Sequence, residues 1–194
     1  MSSISQPIYE VFEHQKTELL LHLLETLPDC DKVMVFVHTR DGVHALTSAL
    51  SHAGVRADSI HGNKKTELRD RALKELNEGK LRVIVSTDAV VRDLDTSCVE
   101  NVVYFDFPEL VDDYSRRAQS GRVITLAVPN DSSLAKLENA LGYELSRKVA
   151  ADFTYATQPV RVKPPRKEGG KSRGLHSKPL QNKKPKFKNK RGRK

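Results

Sequence analysis

The chain is poor in cysteine, lacks any long apolar run and carries no phosphate-binding loop. Cys30 and Cys98 are the only cysteines in 194 residues. They have no metal-ligand spacing and need not pair, so neither a disulfide scaffold nor a metal centre is expected, and a reducing cytoplasm fits. No stretch reaches the ~18 apolar residues of a membrane-spanning helix. The opening MSSISQPIYEVFE has no basic-then-apolar secretory signal. Nowhere does GxxxxGK(S/T) occur, the run whose backbone N–H groups cradle nucleotide phosphates.

Charge is present in abundance but unevenly placed. Residues Arg161 to Lys194 hold 15 Lys and Arg against the single acid Glu168, a net +14. Met1 to Val160 holds 18 against 24, a net −6, so all of the chain's +8 excess lies in its last 34 residues. That segment has only Val162, Leu175, Leu180 and Phe187 as large apolar side chains. Such a composition cannot bury enough surface to offset ordering entropy. The expected division is a folded domain over 1–155 and a disordered basic tail over 156–194. A tail of this kind can tether RNA by releasing counterions from phosphates, or can act only as a solubilising appendage.

The folded part reads as alternating strands and helices. An amphipathic helix is expected over Tyr9–Leu27, then a strand at Lys32–Val37, a helix at Gly42–Ala53 and a strand at Ala57–Ile60. Leu68, Ala72 and Leu76 repeat at i, i+4 and i+8 on a helix otherwise rich in charge. Gly79 stands where a left-handed residue would close that helix. Arg82–Ser86 is nearly all β-branched, as a strand buried on both faces must be. Further strands at Asn101–Phe105 and Arg122–Val128 flank a short helix at Leu110–Arg117. A last helix spans Asp131–Glu144, with Asp131 or Ser132 as N-cap. This alternation predicts an α/β fold, a three-layer parallel sheet with right-handed crossovers. Thr87, Asp88, Arg92 and Asp95 crowd the turn past a strand's C-terminal end, where ligands bind in open parallel sheets.

His61, Gly62, Arg69, Gly79, Thr87, Asp88, Arg92 and Asp95 together resemble the second RecA-like domain of DEAD-box RNA helicases. That family reads roughly HGxxxQxxR, an apolar strand and TDxxxRGxD. Lys32–Arg40 (KVMVFVHTR), Val102–Pro108 (VVYFDFP) and Val123–Val128 (VITLAV) are similar to its neighbouring strands. The resemblance covers roughly Gln6 to Asn130. The Asp-Glu-Ala-Asp run and the phosphate loop belong to the family's first domain, and neither occurs here. The chain is therefore expected to be the C-terminal half of a helicase, starting about where an interdomain linker would lie.

The resemblance implies RNA-backbone contacts at Thr39, Arg40, Gly62, Arg69 and Thr87, and nucleotide contacts at Arg92 and Asp95. It implies no metal ligand. ATP and Mg²⁺ would act only with a first helicase domain supplied in trans, and the isolated chain would need neither. The implied partners are RNA, with little sequence preference, and that separate domain. Three departures stand out. Where the family continues DYxHRxGRxxR, this chain has DYSRRAQSGRVIT, with nine residues between Tyr114 and Ile124. Arg117 and Arg122 can stand for the first and last arginines, but Gln119 takes the central place. Losing one such arginine costs ~10³–10⁵ in rate. Asp93 replaces a glycine and Thr66 a glutamine.

Plainer readings remain for each residue. Thr87 and Asp88 can cap a turn, Asp95 can form one, and His61 can be structural. Arg69 can be one more solvated helix charge, and Arg116–Arg117 can be a solvated helix end; on the RNA-contact reading too, removal of Arg69 is expected to leave folding nearly untouched. Three functions follow: a helicase module completed in trans, a non-catalytic RNA-binding module, or the remnant of a truncated gene.

Overall fold

A computed structural model describes residues 6–92 and 94–156. Asp93 and nearly all of the segment read as a basic tail lie outside the described residues. Seven strands form one sheet: β1 (Pro7–Glu10), β2 (Val33–Phe36), β3 (Ala57–Ile60), β4 (Val83–Ser86), β5 (Asn101–Tyr104), β6 (Arg122–Ala127) and β7 (Ser146–Lys148). Their order is β3-β4-β2-β5-β6-β1-β7. Every pairing is parallel.

Strand alternation distributes the core to the two sheet faces. Val33, Val35, Val83, Val85, Ile124 and Leu126 pack under α1 (Lys16–Thr26) and α2 (Arg40–His52). Met34, Phe36, Ile84, Tyr104 and Val123 pack under α3 (Thr66–Asn77), α5 (Val111–Ser120) and α6 (Ser132–Leu141). The sheet and its two helical layers are the expected three-layer architecture. A short α4 (Asp88–Val91) follows β4. Among the described residues, no helix is long and apolar enough to cross a membrane.

The caps agree with the sequence. Gly79 has φ +71° just past α3, and the Asp131 side chain accepts from Ser133 N at 2.8 Å at the start of α6. Four details differ. The expected helix from Tyr9 begins at Lys16, because Ile8 and Tyr9 fill β1 between β6 and β7. β7 escaped notice because Ser146, Arg147 and Lys148 are all exposed and leave no apolar alternation. Leu68 is exposed, and the buried stripe of α3 runs through Ala72, Leu73 and Leu76. Finally, α5 runs on to Ser120 and a single glycine joins it to β6.

That junction is tight. A Cβ on Gly121 would stand 2.4 Å from the Glu100 carbonyl oxygen, and Arg122 N donates to the same oxygen at 3.0 Å. Glycine is needed there for close backbone approach, since its φ of −168° is ordinary extended chain. No loop intervenes between helix and strand.

Candidate nucleic-acid interface

Three adjacent strands, β3, β4 and β2, end on one side of the sheet, and the turns that follow them hold five of the residues singled out. Thr39 is the N-cap of α2, its hydroxyl accepting from Gly42 N at 3.0 Å. Arg40 begins that helix and is exposed. The turn is braced from β5: His38 N donates to Asp106 Oδ2 at 2.9 Å, and the His38 ring meets the Phe107 carbonyl at 2.7 Å. Asp106 in turn receives the largely buried Lys16 ammonium at 3.6 Å.

Past β3, His61 and Gly62 start a turn that Arg69 closes from α3. Its Nε donates to the Lys64 carbonyl and a second nitrogen to the Gly62 carbonyl, both at 2.8 Å. Arg69 is therefore no freely solvated helix charge. The expectation that its loss would barely affect folding is corrected, because its two donors fix the turn. Arg71, by contrast, is 71% exposed and pairs only with Glu75 one turn away. Gly62 has open space where a Cβ would go. Neither packing nor a left-handed backbone demands glycine there. Thr87, after β4, is half-buried and makes no side-chain capping bond to α4.

Behind these turns lies a buried ionic cluster. Asp88 and Arg117 pair at 2.5 Å, with side chains 4% and 11% exposed. Asp88 also accepts from Glu109 N at 3.2 Å. The Arg117 guanidinium donates to the Tyr104 hydroxyl and sits 4.0 Å from the Phe36 ring centroid. The cluster ties the start of α4 to α5 across β5. Asp88 is thus more than a turn former, and Arg117 is not a solvated helix end.

The residues assigned to nucleotide line a cleft of about 350 Å³ between the segment after α4 and α5. Asp95 sits in it and accepts from Ser97 N at 3.0 Å, which holds its carboxyl below the usual carboxylate range. A ribose hydroxyl could reach it. All three guanidinium groups lining the cleft are paired with carboxylates. Arg92 is held by Asp113 at 2.9 Å and Glu109 at 3.4 Å, Arg116 by Asp113 at 2.8 Å, and Arg117 by Asp88. The bond to Asp113 pushes the Arg92 guanidinium up from its ordinary value.

Arg122 is not brought to this cleft. It is the first residue of β6, in step with Ile124 and Leu126, and it donates to the Pro28 carbonyl at 2.8 Å. Strand alternation puts it on the α1 face, opposite Arg117. The structure does not bring the two arginines together: the sheet lies between them. Two residues not singled out in the sequence also stand at these turns: His44, one helical turn after Arg40, and Lys64, which pairs with Asp58 at 2.7 Å.

The profile described as "Helicase conserved C-terminal domain" matches residues 15–124. The E. coli DEAD-box protein SrmB, in a structure bound to regulator of ribonuclease activity A, superposes with TM-score 0.73 at 30% identity, over 82% of this chain and 98% of that one. The chain belongs to the DEAD-box RNA helicases, as their C-terminal domain. Among the other helicase relatives is DEAD-box ATP-dependent RNA helicase 20 of Arabidopsis thaliana, 30% identical over 89% of this chain and 36% of its own length. Another is ATP-dependent RNA helicase vasa of Drosophila melanogaster, 34% identical over 63% and 18%. The chain thus spans about a third or less of the lengths of the curated relatives it matches. The DEAD-box C-terminal domain of Dbp5 shares the fold, with TM-score 0.65 and 25% identity.

Proposed function

We propose that this chain is an RNA-backbone-binding half of a DEAD-box helicase that does not hydrolyse ATP by itself. The observation that carries the reading is the convergence of Thr39, Arg40, Gly62, Arg69 and Thr87 on the ends of β2, β3 and β4, which are immediate neighbours in the sheet. Adjacent strands lie ~4.8 Å apart, so the three turns form one short continuous edge. Hydroxyls, backbone N–H groups and a guanidinium suit phosphates, and contacts of that kind position a strand without reading its bases. Asp95 would meet a ribose only when a separate first helicase domain brings ATP and Mg²⁺. The isolated chain needs neither. The +14 segment adds a sequence-independent grip. A reducing cytoplasm suits the two free thiols.

Gly62 gives a clean test. In a chain shortened to Met1–Val160, Gly62→Ala adds a methyl to open space, so stability should hold or rise by about 0.4–1 kcal/mol. If an RNA backbone packs against this glycine, the added methyl should hold the phosphate away and affinity for single-stranded RNA should fall, while stability does not. Unchanged affinity, measured by anisotropy of a labelled oligonucleotide, would remove Gly62 from the interface.

A further inference from the structure

His44 and His61 meet edge to face beside these turns, with ring centroids 4.7 Å apart. Nothing in the RNA reading uses this pair. His61 follows β3, and its Nδ1 is buried with no hydrogen-bond partner among the described residues. The cationic side chains acting on it come from three elements, Arg40 on α2, Lys64 in the turn and Arg69 on α3, with the His44 ring beside them. Of the carboxylates on these elements, Asp58 on β3 meets Lys64 at 2.7 Å. Asp41, Glu67 and Asp70 are exposed, Glu75 is taken by Arg71, and none of these four is among the groups acting on His61.

We propose that His61, braced by the His44 ring, forms a proton-linked contact to the RNA phosphate backbone, taking up a proton when a phosphodiester enters beside Arg40, Lys64 and Arg69. The proposal rests on the RNA-binding reading and adds a regulated chemistry to the same edge. Without RNA, burial first and the neighbouring His44, Lys64, Arg40 and Arg69 second hold His61 below its ordinary value of 6.5. The ring is neutral near pH 7. A phosphate within ~4–6 Å supplies the missing opposite charge and favours the imidazolium. Binding then takes up a proton, and affinity rises as pH falls. In the free chain the sign is opposite. The unfolded state binds more protons than the folded one below about pH 6.5, so stability declines as pH falls through that range.

The test compares the full chain with the doubly substituted His44→Gln/His61→Gln chain, using a short labelled oligouridine from about pH 8 to about pH 5.5. His176 in the basic segment and the remaining histidines are common to both, so only the difference counts. The native chain should gain roughly 3–10-fold more affinity over that range than the variant. His44→Gln alone, at an exposed position, should lose part of that gain and guards against a folding defect in the double variant. Equal pH dependence in native and variant chains, with binding intact, would overturn the proposal alone. No binding of the native chain at any pH would overturn the RNA reading and the proposal with it.

Discussion

Asp88→Ala is expected to destabilise the folded chain by about 3–5 kcal/mol, the cost of leaving a buried partner charge unpaired. Asp88 and Arg117 are 4% and 11% exposed. Water therefore cannot take the place of the carboxylate, and the guanidinium is fixed between the Tyr104 hydroxyl and the Phe36 ring. The Arg71–Glu75 pair makes the contrast. With Arg71 71% exposed, breaking it should leave stability nearly unchanged. A second substitution, Asp88→Ala with Arg117→Met, removes both charges and should recover most of the loss. Urea denaturation measures both variants. A shift for Asp88→Ala below about 1 kcal/mol, within reach of an ordinary surface change, would mean that the pair does not hold α4 to α5.

The second large effect concerns catalysis. Mixed with a separate first domain from a DEAD-box relative, this chain is expected to leave RNA-stimulated ATP hydrolysis ~10³–10⁵-fold below an intact helicase, or roughly 4–7 kcal/mol of barrier. α5 passes through one glycine straight into β6, so no arginine-bearing loop exists between them. Arg117 is buried against Asp88, and Arg122 points to the other face of the sheet. Arg116, which lines the cleft, is held by Asp113 at 2.8 Å. RNA-stimulated phosphate release at the level of an intact helicase, lost on Asp95→Ala, would contradict this.

Much of the fold was legible because parallel strands buried on both faces advertise themselves. Val83–Ser86 and Asn101–Tyr104 were located to within a residue or two from apolar content, and Gly79 and Asp131 marked helix ends by local chemistry. β1 was hidden because the stretch from Tyr9 reads as one amphipathic helix only if the polar run Glu13–Glu18 is bridged, and that run in fact separates β1 from the leucine stripe of α1. β7 was hidden because an exposed edge strand needs no apolar residues. The site was legible as a register of residue types, and its strand-end placement followed from the α/β alternation. Side-chain engagement was not. Whether Arg69 reached outward or clasped its own turn depended on where the Lys64 and Gly62 carbonyls came to lie. The burial of Arg117 depended on Asp88, 29 residues earlier. Such pairings are set by tertiary packing and leave no periodic trace.

The central claim is that the folded strand-end edge holds RNA phosphates and the basic segment strengthens that hold. Binding of labelled single-stranded RNA across a salt series, by Met1–Lys194 and by Met1–Val160, tests it most directly. The full chain should bind tightly with a steep fall of log K against log salt. The shortened chain should bind more weakly on a shallow slope, since each phosphate neutralised on a single strand contributes about −0.7. That residual binding should fall further with Arg40→Ala, exposed on the edge, and hold with Arg71→Ala. If the shortened chain binds no RNA at low salt, or if the two arginine substitutions act alike, the folded edge is not an RNA site.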